Sequence, residues 1–274
     1  IKSKSWKSRK TAGGEVTDLT AGLDVMFYNE LHDSPSEPRP YGTVDRWIED
    51  EEYVLIYDRY DIWKFDPLGK EEAVMITNGY GRENKINLRY TDLSARGGFR
   101  GFGGGGDDKE YLEPKETIYL TAFNEENKES GLFTARLNRS NDPEKIIMQP
   151  CAFRSFTKAE DEDVLIFQKE TVEEYPDLYV SDLSFNDPLK ISETNPQQDE
   201  YIWGTSELVE WKSFDGQKLQ GILYKPENFD PSKKYPMVVY FYERSSDGLY
   251  RHITPAPSAS TINRIYAVSN GYLV

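Results

Sequence analysis

The stretch that decides the fold is Tyr235-Pro-Met-Val-Val-Tyr-Phe-Tyr242. Its apolar residues follow one another without the polar alternation of a strand that has one face in water. A continuous apolar run of this length is typical of a strand that is covered on both faces of a parallel sheet. We therefore expect residues 235–242 to form an inner strand of a layered α/β sheet.

A helix and a further strand are predicted after this run. Side chains recur at helical spacing in residues 261–271. The positions expected to face the core are Ile262, Ile265, Tyr266 and Ser269. Ser260 or Thr261 is expected to cap the N-terminus of this helix, and Gly271 to end it in a left-handed conformation. Residues 272–274 then begin another strand.

The chain before residue 208 carries a different pattern. Three segments each join two short strands through a turn, with apolar and polar residues roughly alternating as in half-buried antiparallel hairpins. They are residues 53–67, 117–137 and 164–183. Antiparallel units that recur every ~40–60 residues are typical of β-propeller blades, and a plain β-sandwich is the alternative.

These patterns predict a mainly β protein in two parts. Residues 1–208 would form an incomplete β-propeller of about three blades, too few to close the usual ring. Residues 209–274 would form the first strands and helix of an α/β domain. Ile1 is not an initiator Met and no signal-peptide core follows it. We therefore expect the chain to begin inside a longer protein.

Composition excludes several classes of partner. The chain has 33 basic and 48 acidic residues, and its net charge of -15 repels nucleic acid and anionic lipid. No apolar run approaches the ~18 residues that a membrane-spanning helix needs. Cys151 is the single cysteine, which excludes an intramolecular disulfide and a multi-cysteine metal site. We expect neither nucleic acid nor a membrane as a partner.

Two kinds of ligand site are suggested by local composition, but neither has the required pattern. The Gly-rich segment 96–108 lacks the helix that a phosphate-binding loop needs, and we expect a surface insertion. The acidic runs 49–52 and 161–163 lack the glycine and the alternating ligand spacing of a calcium loop, and we expect solvated turns. We therefore predict no cofactor and no metal ion.

Residues 207–236 resemble one known family. In residues 207–226, two alternating runs flank Asp215-Gly216, a tight-turn pair that by itself predicts a hairpin. Glu227-Asn-Phe-Asp-Pro-Ser-Lys-Lys-Tyr-Pro236 follows. Together they resemble the entry to the hydrolase domain of the prolyl oligopeptidase and dipeptidyl peptidase IV family of serine peptidases. Upstream segments that resemble later propeller blades of bacterial members are 57–63, 175–182 and 195–197.

The resemblance implies a β-propeller joined to an α/β-hydrolase domain. It also implies a peptidase of short peptides, with proline or another small residue at the P1 position. In this family a tyrosine at the end of the strand after the Tyr-Pro pair helps to form the oxyanion hole, and the matching position here is Tyr242. A phenol there can donate a hydrogen bond to the charge that develops on the scissile carbonyl. Residues 243–248 depart from the small residues and Gly-Pro turn of relatives, which leaves the direction of Tyr242 open.

The rest of the catalytic machinery is not in the sequence. No G-x-S-x-G nucleophile motif occurs. His32 is expected in a turn, and His252 at the surface or against a partner. Neither follows a nucleophile, as the triad histidine of this fold does. We expect the parent protein to supply Ser, Asp and His downstream, and this chain alone to be inactive.

Other interpretations stay open. The chain could be a non-catalytic β-rich binding module with a degenerate hydrolase remnant, or a glycan-processing β-protein. Exopeptidase and endopeptidase action both stay open, and a periplasmic or extracytoplasmic compartment is favoured over the cytoplasm. A truncated sheet would expose unpaired backbone along 235–242. Besides a peptide substrate, the expected partners are therefore the rest of the same polypeptide or a second copy of the chain.

Overall fold

The structure is a computed structural model, and it is mainly β, as predicted. The residues that it describes are 4–48, 52–94, 111–257 and 260–274. Contacts divide the chain into two compact units. The first comprises Ile1–Asn124 and Gly131–Met148, and the second comprises Glu125–Ser130 and Gln149–Val274. No helix in the described ranges is long and apolar enough to cross a bilayer.

The first unit consists of short strands and one helical turn, α1 (Tyr80–Asn84). Its strands, the last of which ends in the second unit, are β1 (Lys7–Ser8), β2 (Thr17–Asp18), β3 (Trp47–Ile48), β4 (Val54–Tyr57), β5 (Ile62–Phe65), β6 (Val74–Met75), β7 (Ile86–Thr91), β8 (Tyr111–Leu112), β9 (Thr117–Asn124), β10 (Ser130–Arg136) and β11 (Glu144–Gln149). The sheet orders are β4-β5-β6 and β11-β10-β9-β7, while β1 pairs with β2 and β3 lies parallel to β8. The hairpins predicted at 53–67 and 117–137 are confirmed.

Two buried aspartates hold the turn between β4 and β5. Asp58 accepts hydrogen bonds from the N–H groups of Tyr60 and Asp61 at 2.7 Å each, as aspartate does in tight turns. Asp61 accepts from the Thr77 hydroxyl at 2.7 Å and from the Gly81 N–H at 3.0 Å. These bonds join the hairpin to α1 beside an apolar core. Core residues include Leu55, Ile62, Leu88, Leu120 and Phe133.

The second unit contains a four-stranded sheet, a long hairpin and one α-helix. Its elements are β12 (Ala152–Lys158), β13 (Val164–Glu170), β14 (Asp177–Asp182), β15 (Leu189–Lys190), β16 (Gly204–Lys212), β17 (Lys218–Pro226) and α2 (Arg264–Ser269). Strands β12 to β15 pair antiparallel in chain order, so the hairpin predicted at 164–183 is confirmed. Phe153, Phe167 and Phe185 pack against one another in this sheet. The number of propeller blades stays a prediction.

Strands β16 and β17 form the hairpin predicted within 207–226. The register pairs Gly204 with Pro226 at its open end. Gly216 in the turn has a φ of +86°, a conformation that favours glycine. The domain boundary predicted near Leu208 lies within β16 and stays a prediction.

The prediction of an inner strand over residues 235–242 is wrong. Among the described residues only its start is paired, where Met237 forms an isolated parallel bridge with Leu273. The side chains of Phe241 and Tyr242 are 87% and 77% exposed. A strand is buried on both faces only when other elements cover both faces. The described chain supplies one neighbour and one short helix, so the apolar side chains of this stretch lie in solvent.

Residues 272–274 lie between β17 and residues 236–238. Val274 and Tyr224 exchange two backbone hydrogen bonds, at 2.9 and 3.2 Å, as in an antiparallel pair. On the other side, the bridge from Leu273 to the segment 236–238 is parallel. The parallel segments are connected by the stretch that contains α2.

Helix α2 is shorter than predicted, and of the positions expected to face the core Ile265 is buried while Tyr266 is not. Asn263, rather than Ser260 or Thr261, is the N-cap, because its side chain accepts a hydrogen bond from the Tyr266 N–H at 3.0 Å. Tyr266 is 65% exposed, contrary to the prediction. The buried side chains are Ile265, Ala267 and Val268. Gly271 has a φ of +81°, which confirms the predicted left-handed end of the helix.

Candidate active site

Tyr242, the predicted oxyanion donor, lies at the surface. Its side chain is 77% exposed, and its hydroxyl has no hydrogen-bond partner among the residues that the structure describes. It follows the parallel segment 236–238 on the carboxyl side of that segment. A phenol in this state can donate to a ligand without first breaking an internal hydrogen bond. Its role in catalysis stays a prediction.

The loop after Tyr242 turns back on that residue. Arg244 has a left-handed φ of +54°, and Ser245–Gly248 form a short 3₁₀ helix. The Ser245 hydroxyl donates to the Tyr242 carbonyl at 3.2 Å. The Asp247 N–H donates to the Arg244 carbonyl at 3.1 Å. The backbone of Tyr242 is therefore tied into the turn that follows it.

Two charged residues of this turn contact two charged residues from the turn between β9 and β10, and we call the four the loop cluster: Glu125, Lys128, Arg244 and Asp247. The Lys128 ammonium lies 3.2 Å from the Asp247 carboxylate and donates to the Glu125 carbonyl at 2.5 Å. The Arg244 guanidinium lies 2.9 Å from Asp247 and 3.5 Å from Glu125. The Lys128 side chain is only 4% exposed. An ammonium that is so deeply buried needs a partner charge, and Asp247 supplies it.

His252 is half-buried among aromatic rings, which contradicts a place at the surface, whereas a contact with a partner stays a prediction. Its ring stacks on Trp203 with centroids 5.3 Å apart and meets Tyr175 edge-on at 5.0 Å. Its Nε2 atom lies 2.9 Å from Oε1 of Gln198. Burial lowers the pKa of His252, which favours the neutral imidazole. These contacts describe a packed structural side chain.

Two further candidate groups are also held in structural roles. His32 lies in a loop, as predicted, with its Nε2 atom 2.5 Å from the Ser36 carbonyl and 3.1 Å from the Ser34 hydroxyl. Cys151 is buried, and burial raises the pKa of its thiol to about 12. A thiol with that pKa is a poor nucleophile at neutral pH.

The segments considered for ligands lie partly outside the described residues. The Gly-rich segment 96–108 is outside, as are residues 49–51 of the first acidic run. In the second run, Asp163 is 81% exposed and lies 3.4 Å from the Lys158 ammonium. Across 4–48, 52–94, 111–257 and 260–274, no group of three His, Cys, Asp or Glu side chains could hold a metal ion.

Sequence reasoning missed the loop cluster. Lys128 and Asp247 are 119 positions apart, and neither local sequence predicts that they pair. One signal was available: residues 243–248 place charged side chains where the resembling family has small ones. The partner of Asp247 comes from a hairpin turn that is distant in sequence.

Comparisons with known proteins give structural matches only. No family model matches the chain, and no curated protein does. A crystal structure from Bacteroides ovatus, provisionally described as a dipeptidyl aminopeptidase IV, matches with a TM-score of 0.52 and 18% identity. The match covers 83% of this chain and 32% of that one. This chain therefore shares its fold with the matched part of the Bacteroides ovatus structure.

Two other structures match with lower TM-scores. Porphyromonas gingivalis dipeptidyl peptidase 4 matches with a TM-score of 0.48 and 15% identity, over 84% of this chain and 29% of that one. A post-proline cleaving enzyme from Rickettsia typhi matches with a TM-score of 0.44 and 12% identity, over 81% and 29%. The chain thus spans about a third of the length of these peptidases.

Proposed function

We propose that this chain is part of a serine peptidase of the prolyl oligopeptidase type, with Tyr242 as an oxyanion-hole donor. The observation that carries the proposal is that the Tyr242 hydroxyl has no hydrogen-bond partner within the described ranges and that Tyr242 lies beyond the carboxyl end of a parallel segment. Ligands of open α/β sheets bind beyond the carboxyl ends of their strands. The fold likeness to the Bacteroides ovatus structure is consistent with this assignment.

The end of the chain fits the start of an α/β-hydrolase domain. Its order is β16, β17, residues 272–274 and then residues 236–238, with α2 in the connection between the two parallel segments. We assign residues 209–274 to that domain and residues 1–208 to about three blades of a β-propeller. The antiparallel sheets β11-β10-β9-β7 and β12-β13-β14-β15 support the assignment of blades.

The proposed reaction is acyl transfer on a short peptide with proline or another small residue at P1. A serine hydroxyl attacks the scissile carbonyl, and a histidine takes its proton and later gives it to the leaving amine. An aspartate orients that histidine. We assign these three groups to a part of the longer protein outside this chain, so that the chain by itself is inactive. The Tyr242 O–H donates to the oxyanion, which is where a pre-positioned donor lowers the barrier.

The chain would select substrates by their charge and by their size. With 48 acidic against 33 basic residues, the chain attracts cationic or neutral peptides more than anionic ones. The propeller would admit short peptides and exclude folded proteins. This assignment leaves exopeptidase and endopeptidase action open.

The test is to replace Tyr242 with Phe in the full-length protein and to follow hydrolysis of a proline-containing reporter peptide. Removing one oxyanion donor lowers kcat by about 10²–10³-fold, and we expect a loss in this range with KM little changed. The ring is retained in Phe, so packing is preserved. An unchanged kcat overturns the role of Tyr242.

Tyr240 offers a matched control in the same stretch. It is 37% exposed, and the Arg264 guanidinium lies 5.3 Å from its ring centroid. Replacing Tyr240 with Phe removes a hydroxyl two residues away and retains the ring. We expect this variant to keep the parental kcat, which separates a specific effect at Tyr242 from a general effect on the stretch.

A further inference from the structure

We propose that the loop cluster is a positioning device for Tyr242, in which Lys128 and Asp247 fix the turn that aims the phenol. This inference rests on the proposed function, because it concerns how the candidate donor is held. Lys128 and Asp247 are positioning residues and do not themselves touch substrate.

The side chain of Tyr242 lies mostly in solvent. It is 77% exposed, and its neighbours Val239 and Phe241 are 73% and 87% exposed. No described residue accepts or donates a hydrogen bond at its hydroxyl. An oxyanion donor must be pre-positioned, since reorganisation during the reaction cancels its benefit. The backbone of Tyr242 therefore sets the region that its phenol can reach.

The backbone on the C-terminal side of Tyr242 is held by short-range hydrogen bonds. The Ser245 hydroxyl donates to the Tyr242 carbonyl at 3.2 Å, and Arg244 takes the left-handed conformation that reverses the chain. Ser246 is 7% exposed, and its carbonyl accepts from the Leu249 N–H at 3.1 Å. A single 3₁₀ turn of this kind is weak by itself. It needs an external anchor.

The loop cluster supplies that anchor. Lys128 is buried to 4% exposure in the turn between β9 and β10, and its ammonium faces Asp247 at 3.2 Å. The guanidinium of Arg244 lies 2.9 Å from the same carboxylate. A carboxylate shared by two cations in a partly buried site forms charge-assisted hydrogen bonds, which are stronger than neutral ones. Asp247 therefore ties the turn to Lys128.

The anchor is itself attached to the sheet that carries the parallel segments. The Gln220 side chain, on β17, donates to the Glu126 carbonyl at 3.1 Å. Glu126 lies in the same hairpin turn as Lys128. Strand β17 also pairs with Val274 through Tyr224, and Leu273 pairs with the segment before Tyr242. The turn that contains Lys128 and the segment before Tyr242 are therefore both connected to β17. The backbone of Tyr242 is thereby attached both before and after this residue.

The experiment compares Asp247→Asn, Tyr242→Phe and the double variant in the full-length protein. We expect Asp247→Asn to lower kcat about 10–100-fold with KM within about twofold, since a displacement of ~1 Å can cost 10²-fold in rate. In the Tyr242→Phe background the same change should cost less than about twofold, because residues that act through one group are not additive. Hydrogen exchange over 243–250 should become faster in Asp247→Asn.

Further variants serve as controls or as a substitute. Lys128→Arg keeps a cation in the hairpin turn and should recover most of the kcat that Lys128→Met loses. Asp230→Asn changes an exposed carboxylate 3.6 Å from Lys233, also an i,i+3 pair, and should leave kcat unchanged. If Asp247→Asn does not fold, Arg244→Gln takes its place, since the Arg244 side chain is 43% exposed.

The outcomes separate the two proposals. If Tyr242→Phe retains full kcat, the proposed oxyanion role fails, and the positioning role falls with it. If Tyr242→Phe is slow but Asp247→Asn costs the same factor in both backgrounds, only the positioning role is overturned. Unchanged exchange over 243–250 together with an unchanged kcat in Asp247→Asn also overturns it.

Discussion

At the scale of single residues, hydrogen bonds to the carboxylate of Asp177 lower its pKa by more than burial raises it. Burial by itself would raise its pKa, but bonds from Lys190, Ser192 and Thr194 lower the pKa from 3.8 to about 2. Because the folded-state pKa lies below the unfolded value, the charge stabilises the fold above pH ~4. That contribution is lost as the pH falls through about 2. We expect Asp177→Asn to lower the free energy of unfolding at pH 7 by about 1–2 kcal/mol.

Urea unfolding of the chain between pH 2 and pH 7 checks the prediction for Asp177. The difference between the parent and Asp177→Asn should be largest above pH 4 and should shrink towards pH 2. Asp163→Asn is the control, since the Asp163 side chain is 81% exposed and should change stability little. A difference that stays constant across this range contradicts the assignment of the lowered pKa.

At the scale of elements, α2 packs closely on β16 because Gly204 leaves room for it. A Cβ atom at Gly204 would lie 2.6 Å from Cγ2 of the fully buried Val268 and 3.3 Å from the Lys225 carbonyl. A branched, buried side chain cannot move away at low cost. We expect Gly204→Ala to lower the free energy of unfolding by about 1–3 kcal/mol, measured by urea denaturation. Gly248→Ala is the control, because the nearest atom to its Cβ is 4.0 Å away.

At the scale of the whole molecule, the stretch 237–242 is an apolar surface without a cover in the described chain. Its exposed side chains are Met237, Val239, Tyr240, Phe241 and Tyr242. A contiguous apolar surface of this kind favours association. We expect the 274-residue chain to self-associate in sedimentation velocity, more strongly at high salt, because salt screens the net charge of -15.

The variant that checks this association replaces both Met237 and Phe241 with Glu. It should sediment as a smaller species than the parent at the same concentration. Phe214→Glu is the matched control, because Phe214 is fully exposed at the β16–β17 turn and lies outside the stretch. A parent chain that stays monomeric at all concentrations, or a Phe214 variant that dissociates equally, contradicts the prediction.

The sequence by itself determined the elements whose causes are local. The alternating runs predicted the hairpins at 53–67, 117–137 and 164–183, and Asp215-Gly216 predicted the turn between β16 and β17. Period-two patterning and turn residues act over a few neighbours, so they can be read without knowing the fold. The end of α2 was predictable in the same way, because Gly271 adopts the left-handed conformation that commonly ends a helix.

The tertiary structure alone decided what depends on distant neighbours. The apolar run 235–242 looks buried in sequence, but burial requires neighbouring strands and helices, and the described chain pairs it only at Met237. Which face of α2 is buried was set by its packing, so Tyr266 points outward although its spacing predicted otherwise. The pairing of Lys128 with Asp247 joins groups 119 positions apart. No local pattern encodes such a contact, because an ion pair depends on distance in space and not on separation along the chain.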